Sequence, residues 1–201
     1  MVNHKKTLAL IVSLLIVFAV IGLFVFKNLA SWLIVSDPVP KSLDVIFTFG
    51  GEDSRIAYSK SLFSKNPRAL WIISYENRKL VQTLWKEGFD TSRIRIVDTC
   101  TSTFSEISFL KNQIADFVKP RGNSGNAGSP TIGLVSNWYH MRRIKLTASR
   151  VIPKDLCKLK YFSVPLTKNE SSRFLGAWWK DDNVRSIVCS EWWKILYYQV
   201  R

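Results

Sequence analysis

Between Thr7 and Phe26 the chain runs for twenty residues, TLALIVSLLIVFAVIGLFVF, without a charge, an Asn, a Gln or a Pro. No other feature limits so sharply what this chain can fold into. Backbone polar groups in hydrocarbon must satisfy one another, and within one segment only a helix does so. At 1.5 Å per residue, about 20 apolar residues match the roughly 30 Å core of a bilayer. A secretory signal is the competing reading, but its apolar stretch is about 7–15 residues and ends in small residues at a cleavage site. Here the run is longer and meets Phe26, Lys27 and Asn28, with no A-x-A pattern and no Cys close behind to accept a lipid. The expectation is an uncleaved single-pass anchor. His4, Lys5 and Lys6 precede the span, and basic flanks tend to remain cytoplasmic. The N-terminus is therefore expected in the cytoplasm, with the rest outside a plasma (inner) membrane, although Lys27 narrows the asymmetry.

Charge constrains the partners. The formal net charge is +14, and removing Lys5, Lys6 and Lys27 leaves +11 on the remainder. Such an excess favours lipid head groups, phosphorylated ligands or anionic polymers, and beside a membrane these are simpler partners than nucleic acid. No run of five basic residues and no arginine-rich tail is present, so no nucleic acid is expected. Cys100, Cys157 and Cys189 are far apart, without a CxxC or Cys/His ligand spacing, and only two His occur. No metal site is expected from them. One disulfide is possible, and spacing does not say which.

After a juxtamembrane connector over 28–42, where Pro38 and Pro40 oppose a helix, strands and helices alternate over 43–201. Asp44–Phe49 reads as a buried strand that ends in the Gly50-Gly51 turn. Helix is expected over Asp53–Asn66, strand over Ala69–Tyr75, and helix over Asn77–Phe89 with Leu80, Val81, Leu84 and Trp85 on one face. A third strand falls at Ile94–Val97. Thr103–Val118 carries Ile107, Leu110, Ile114, Phe117 and Val118 at helical spacing and stops at Pro120 and Gly122. A polar loop leads to the strand Thr131–Ser136, then a helix through Arg150, a strand at Lys158–Val164, a Trp-rich connection and a last helix from Asn183 to about Gln199. Short strands that are apolar on both faces, interleaved with helices, imply a mostly parallel sheet of about five strands between helical layers. This is an α/β, Rossmann-like three-layer sandwich.

In such sheets ligands bind beyond the carboxyl ends of the strands. That rule collects Gly50, Gly51, Glu52, Asp53 and Arg55 after the first strand and Ser74 after the second. Thr101, Ser102, Thr103 and Glu106 follow the third. Ser136, Asn137, His140, Arg142 and Arg143 follow the fourth. Gly50 and Gly51 permit close approach to backbone N–H groups at a helix start. Arg55 and Arg143 are candidates to clamp phosphate or carboxylate oxygens in bidentate fashion. Ser74, Ser102, Thr103 and Ser136 offer hydroxyls, and His140 is the candidate acid or base. Each has a structural counter-reading. A lone Gly pair is weaker than GxGxxG, Thr103-Phe-Ser-Glu106 matches a capping box in which Glu106 is only a cap, and Arg142 reads as a solvated helix residue. Glu191 falls on the apolar stripe of the last helix with Val184, Ile187, Val188, Ile195 and Leu196, where a carboxylate needs a partner such as a site arginine.

On these residues the chain resembles the YdcF-like family, a bacterial domain-of-unknown-function group with SanA- and ElyC-type membrane-anchored envelope members. The matching segments are Asp44-Val-Ile-Phe-Thr-Phe-Gly50-Gly51 with Arg55 behind it, the strand ending at Ser74, Thr101–Glu106, and Val135-Ser136-Asn137-Trp138-Tyr139-His140-Met141-Arg142-Arg143. Ser105 and Glu106 stand where the family often has Glu and Asn, so a catalytic role at 106 is not carried over. The resemblance covers roughly Asp44 to the C-terminus. It implies a Rossmann-like fold and a role in the envelope barrier or in cell-wall precursor metabolism.

The first expectation is therefore a membrane-anchored protein that binds an anionic small molecule or lipid-linked precursor. A non-catalytic envelope scaffold with Trp178, Trp179, Trp192 and Trp193 at a membrane interface is the second. A nucleotide- or methyl-donor-binding domain is the third, weakened by the incomplete glycine motif.

Overall fold

The computed structural model describes residues 4–74, 79–118 and 129–200. It opens with helix α1 (His4–Asn28), in which every side chain from Lys6 to Lys27 is exposed. The stretch Lys6–Asn28 is long and apolar enough to cross a bilayer and packs into no protein core. Its apolar surface can be buried only against something outside the chain.

Five strands follow: β1 (Val45–Thr48), β2 (Leu70–Ser74), β3 (Ile94–Val97), β4 (Thr131–Ser136) and β5 (Lys158–Ser163). They form one parallel sheet in the order β3-β2-β1-β4-β5. Register pairs Phe47 with Ile72 on one side and with Leu134 on the other. Helices α2 (Asp53–Ser64) and α3 (Lys79–Lys86) bring Ile56, Leu62, Phe63 and Leu84 to one face of the sheet, where Ile46, Trp71 and Ile73 meet them. On the other face α4 (Thr103–Val118) and α5 (Met141–Val151) pack Ile107, Leu110, Ile114, Met141 and Ile144 on Phe47, Ile72 and Leu134. Alternate residues of each central strand thus face different helical layers, the reason these strands are apolar throughout. At Gly133 a Cβ would lie 2.8 Å from the Phe162 ring, so glycine there permits β4 and β5 to pack side by side.

Several elements differ in extent from the sequence reading. The helix expected from Asn77 is described from Lys79, and 75–78 lie outside the described residues. Trp85, expected on its apolar face, is 67% exposed, while Leu84 and, in part, Leu80 pack on the sheet. The Gly/Asn/Ser/Pro loop over 119–128 also lies outside the described residues.

The connector after α1 is bound to the domain along its length. Ser31–Leu33 form a 3-10 turn, and Asp37 exchanges bonds with Tyr161 of β5, its N–H donating to the carbonyl at 2.7 Å and its Oδ2 accepting from the amide at 3.0 Å. A third core gathers there, with Ala30 and Leu33 from the connector, Trp138, Trp178, and Val184, Val188 and Ile195 of α7 (Asp182–Val200). Before α7 come a single-turn α6 (Lys168–Ser171) with a Thr167/Glu170 capping box, a π-helical turn and a 3-10 turn. The indole of Trp178 donates to the Phe26 carbonyl at 3.1 Å and that of Trp192 to the Leu29 carbonyl at 3.0 Å. These are carbonyls at and just beyond the last turn of α1, which has few intrahelical donors left for them. Trp179 packs on Phe26 as well, so of the four tryptophans expected at an outer interface only Trp193, 73% exposed, lies open. The others hold the end of α1 to the domain. Leu196, expected on the buried stripe of α7, is 49% exposed. Val184, Val188, Glu191 and Ile195 form the buried stripe without it.

Candidate functional site

The sheet order reverses between β1 and β4, and in parallel sheets a crevice opens beyond the strand ends near such a point. A cleft of about 640 Å³ lies beyond β1, β2 and β3, lined by Gly50, Gly51, Ser74, Val97, Asp98, Cys100, Thr101, Ser102, Thr103, Glu106 and Arg143. Eight of the expected residues meet there: Gly50, Gly51, Ser74, Thr101, Ser102, Thr103, Glu106 and Arg143. Arg55, Ser136 and His140 do not reach its wall and support it from behind.

The start of α4 shows why. Thr103 and Glu106 do not form the expected capping box. Instead the Ser105 amide donates to Ser102 Oγ at 3.1 Å and the Ser102 amide to Ser105 Oγ at 3.0 Å, one residue earlier. Ser102 caps the helix because it precedes the first helical residue, and Thr103 already lies in the first turn. Glu106 is thereby free to cross to β1, where Gly50 N–H donates to its Oε1 at 2.9 Å. The carboxyl is 7% exposed. Burial raises its pKa, while the Gly50 amide, the Ser74 hydroxyl, Arg55 and Arg143 pull the other way. The result is a carboxyl at the cleft that holds its proton more readily than an ordinary Glu.

The β1–α2 turn is built around glycine. Gly51 has φ +131, a conformation L side chains rarely adopt, and a Cβ there would lie 2.8 Å from Arg55 Nη1. At Gly50 a Cβ would stand 3.0 Å from the Ser74 carbonyl. Arg55 is 4% exposed. Its Nε donates to Asn137 Oδ1 at 3.0 Å and its Nη1 to the carbonyls of Phe49 and Gly50. It ties the ends of β1 and β4 together, and its fork is not open to a ligand.

His140 is 7% exposed. Its Nδ1 lies 3.0 Å from Ser136 Oγ and its Nε2 3.0 Å from Thr103 Oγ1. Arg143 Nη1 donates to the same Thr103 oxygen. Since Arg can only donate, the Thr103 proton is available to Nε2, and Nδ1–H then points to Ser136. Burial, followed by the charges of Arg143, Arg55 and Lys194, pushes the imidazole well below its ordinary pKa. His140 is a neutral link between β4 and α4, and it meets the cleft through Thr103. A hydroxyl held by a neutral imidazole is an arrangement through which a proton can leave that hydroxyl.

Arg143 is placed by α7. Its Nε donates to Glu191 Oε2 at 2.8 Å and its Nη2 to Oε1 at 3.1 Å, while Lys194 Nζ donates to Oε1 at 2.9 Å. Glu191 thus braces a site arginine, as its position on the apolar stripe of the last helix suggested. This pair corrects the expected bidentate clamp: the Nε–Nη2 edge of the guanidinium belongs to Glu191, and Nη1 donates to Thr103 at the cleft wall. The wall is also less one-sidedly basic than the net charge implies, since Asp98 and Glu106 line it with Arg143.

Asp98 and Cys100 also line the cleft, within three residues of Val97 where the strand-end rule applies, although the sequence reading gives neither a site role. Burial and the nearby Glu106 raise the Cys100 thiol pKa, and burial takes that of Cys157 up to about 11. The three cysteines are unpaired. Among the described residues no group of three His, Cys, Asp or Glu side chains is gathered as a metal would need. Searches with this chain find no matching family model, no matching curated protein and no matching solved structure.

Proposed function

We propose that this chain is a membrane-anchored cell-envelope protein that binds the phosphoryl or other anionic group of a small molecule or lipid-linked precursor in the strand-end cleft. The observation that carries the reading is the meeting of the Gly50-Gly51 turn, the start of α4 and Arg143 around one open cleft. Helix α4 begins at the cleft wall, so its positive end bears on the cleft. Ser74, Ser102 and Thr103 supply hydroxyls. The resemblance to the YdcF-like family and its role in the envelope barrier or in cell-wall precursor metabolism belong to the same proposal. So does the topology, with the N-terminus cytoplasmic and the domain outside, for which His4, Lys5 and Lys6 are the support.

Binding of radiolabelled inorganic phosphate to the full chain in zwitterionic-lipid nanodiscs tests the cleft. Saturable binding is expected, weakened about tenfold or more by Arg143→Gln, since a hydrogen bond to a charged group contributes about 1.5–3 kcal/mol. Lys86→Gln, on exposed α3, should bind as the wild type does. Absence of saturable binding, or equal binding by a folded Arg143→Gln, would exclude the reading. A reporter fused after Arg201 that is active only in the cytoplasm would exclude the orientation.

A further inference from the structure

A second cavity adjoins the cleft and differs from it in character. It holds about 670 Å³ and is lined by Ser102, Phe104, Leu146, Thr147, Arg150, Val151, Tyr197 and Tyr198. Helix α5 forms its floor, with the start of α4 on one side and the end of α7 on the other. Ser102 lines both cavities, so the apolar groove borders the polar cleft. Phe104 and Tyr197 stand at its sides, each 54% exposed. Two aromatic rings left half in water forgo burial that an apolar occupant would restore.

The direction of the groove follows from the pairing of α5 with α7. Arg143 meets Glu191, and Arg150 donates to the carbonyls of Tyr198 and Gln199. The two helices therefore run side by side in the same sense. Seven residues of α5 separate the two arginines, about 10 Å at 1.5 Å per residue. The groove leads from the arginine at the polar cleft to the arginine at the end of α7.

The site is also tied to the membrane helix. Arg142 donates through Nε to the Trp32 carbonyl, and Trp192 donates to the Leu29 carbonyl. Each adjoins in sequence a residue of the cleft's support, Arg143 or Glu191. The turns of α5 and α7 that hold the cleft arginine thus also hold the segment leaving α1.

We propose that cleft and groove form one site for an amphiphile, with an anionic head against Arg143 and the start of α4, and a hydrocarbon chain along Phe104, Leu146, Val151 and Tyr197. The proposal rests on the anionic-ligand reading above and adds the chain. A hexadecyl phosphate carrying a diazirine midway along its chain, added to the full protein in phosphatidylcholine nanodiscs, is the probe. Light-induced adducts should map to Phe104, Leu146 or Tyr197, and unlabelled hexadecyl phosphate should suppress them while inorganic phosphate at equal concentration should not. Phe104→Ser, on an exposed site, should reduce groove labelling about tenfold as one aromatic contact is lost, while inorganic phosphate binds as in the wild type. Adducts confined to α1, or groove labelling equal in Phe104→Ser, would overturn the groove and leave the cleft standing. Loss of both inorganic phosphate binding and groove labelling in the wild type would overturn the two together.

Discussion

Replacing Glu191 by Gln removes the charge that places Arg143 while keeping one acceptor oxygen and nearly the same volume. The pair is close and dry, with bonds of 2.8 and 3.1 Å and side-chain exposures of 12% for Arg143 and 4% for Glu191. Removing one partner of a buried pair costs about 3–5 kcal/mol, most of it the charge left behind. Here the low end applies, about 3 kcal/mol, because Arg143 keeps its bond to Thr103 and borders the open cleft, and half-exposed Lys194 can turn to water. At about 2–4 °C per kcal/mol for a chain of this size, Tm should fall by about 6–12 °C. Thermal unfolding followed in identical nanodiscs reads it. The double variant Arg143→Met with Glu191→Met should recover most of the loss, since replacing both members of a buried pair with apolar groups is often neutral. A Glu191→Gln protein melting within about 2 °C of wild type, below the loss worked out here, would refute the claim that this carboxylate holds the arginine.

Other perturbations test the remaining supports. His140 has a lowered folded pKa, so the unfolded chain takes up its proton first as pH falls below about 6.5. Stability should then decline by up to about 1.4 kcal/mol per pH unit down to the folded pKa, and His140→Gln should remove that slope. Glu106 acts with the opposite sign. Its raised folded pKa means that stability increases as pH falls through that value towards the ordinary Glu value near 4.3, so comparing wild type with His140→Gln isolates the imidazole. Gly51→Ala, at φ +131 and against Arg55, should cost about 1–3 kcal/mol. It should exceed Gly88→Ala, where φ is +86 but the space is open; equal losses would show that Arg55 yields. Trp178→Phe removes the indole bond to Phe26, which should cost about 1 kcal/mol and speed amide exchange over 29–33. Unchanged exchange would mean the indole does not hold the connector.

Much of the fold was legible because it repeats. Ile94–Val97, Thr103–Val118 and Thr131–Ser136 have the same limits in the structure as in the sequence, since each is an apolar run closed by a polar, Gly or Pro signal. The strand-end rule gathered the cleft residues across ninety positions because a parallel sheet places every βα turn at one edge. Asp98 and Cys100 follow from the same rule applied to the first residues after β3. The partners within the site were less legible. Two motif-like spacings, Ser102/Ser105 and Thr103/Glu106, compete for one helix start, and only the backbone position of Ser102 decides between them. Nor does spacing reveal that Arg143 spends its fork on α7 and Arg55 on carbonyls, because those partners lie 48 and 5 residues away.

Sequence alone determined the apolar span, the alternation of strand and helix, and the types of group at the strand ends. These are properties of contiguous residues, set by periodicity and by the side-chain chemistry at each position. Tertiary structure decided which of those groups face an opening and which are spent in holding it. It also decided that Trp178 and Trp192 grip the end of α1 and that an apolar groove borders the polar cleft. Hydrogen-bond partners and cavities depend on how separate elements pack, and distance in space is not written in distance along the chain.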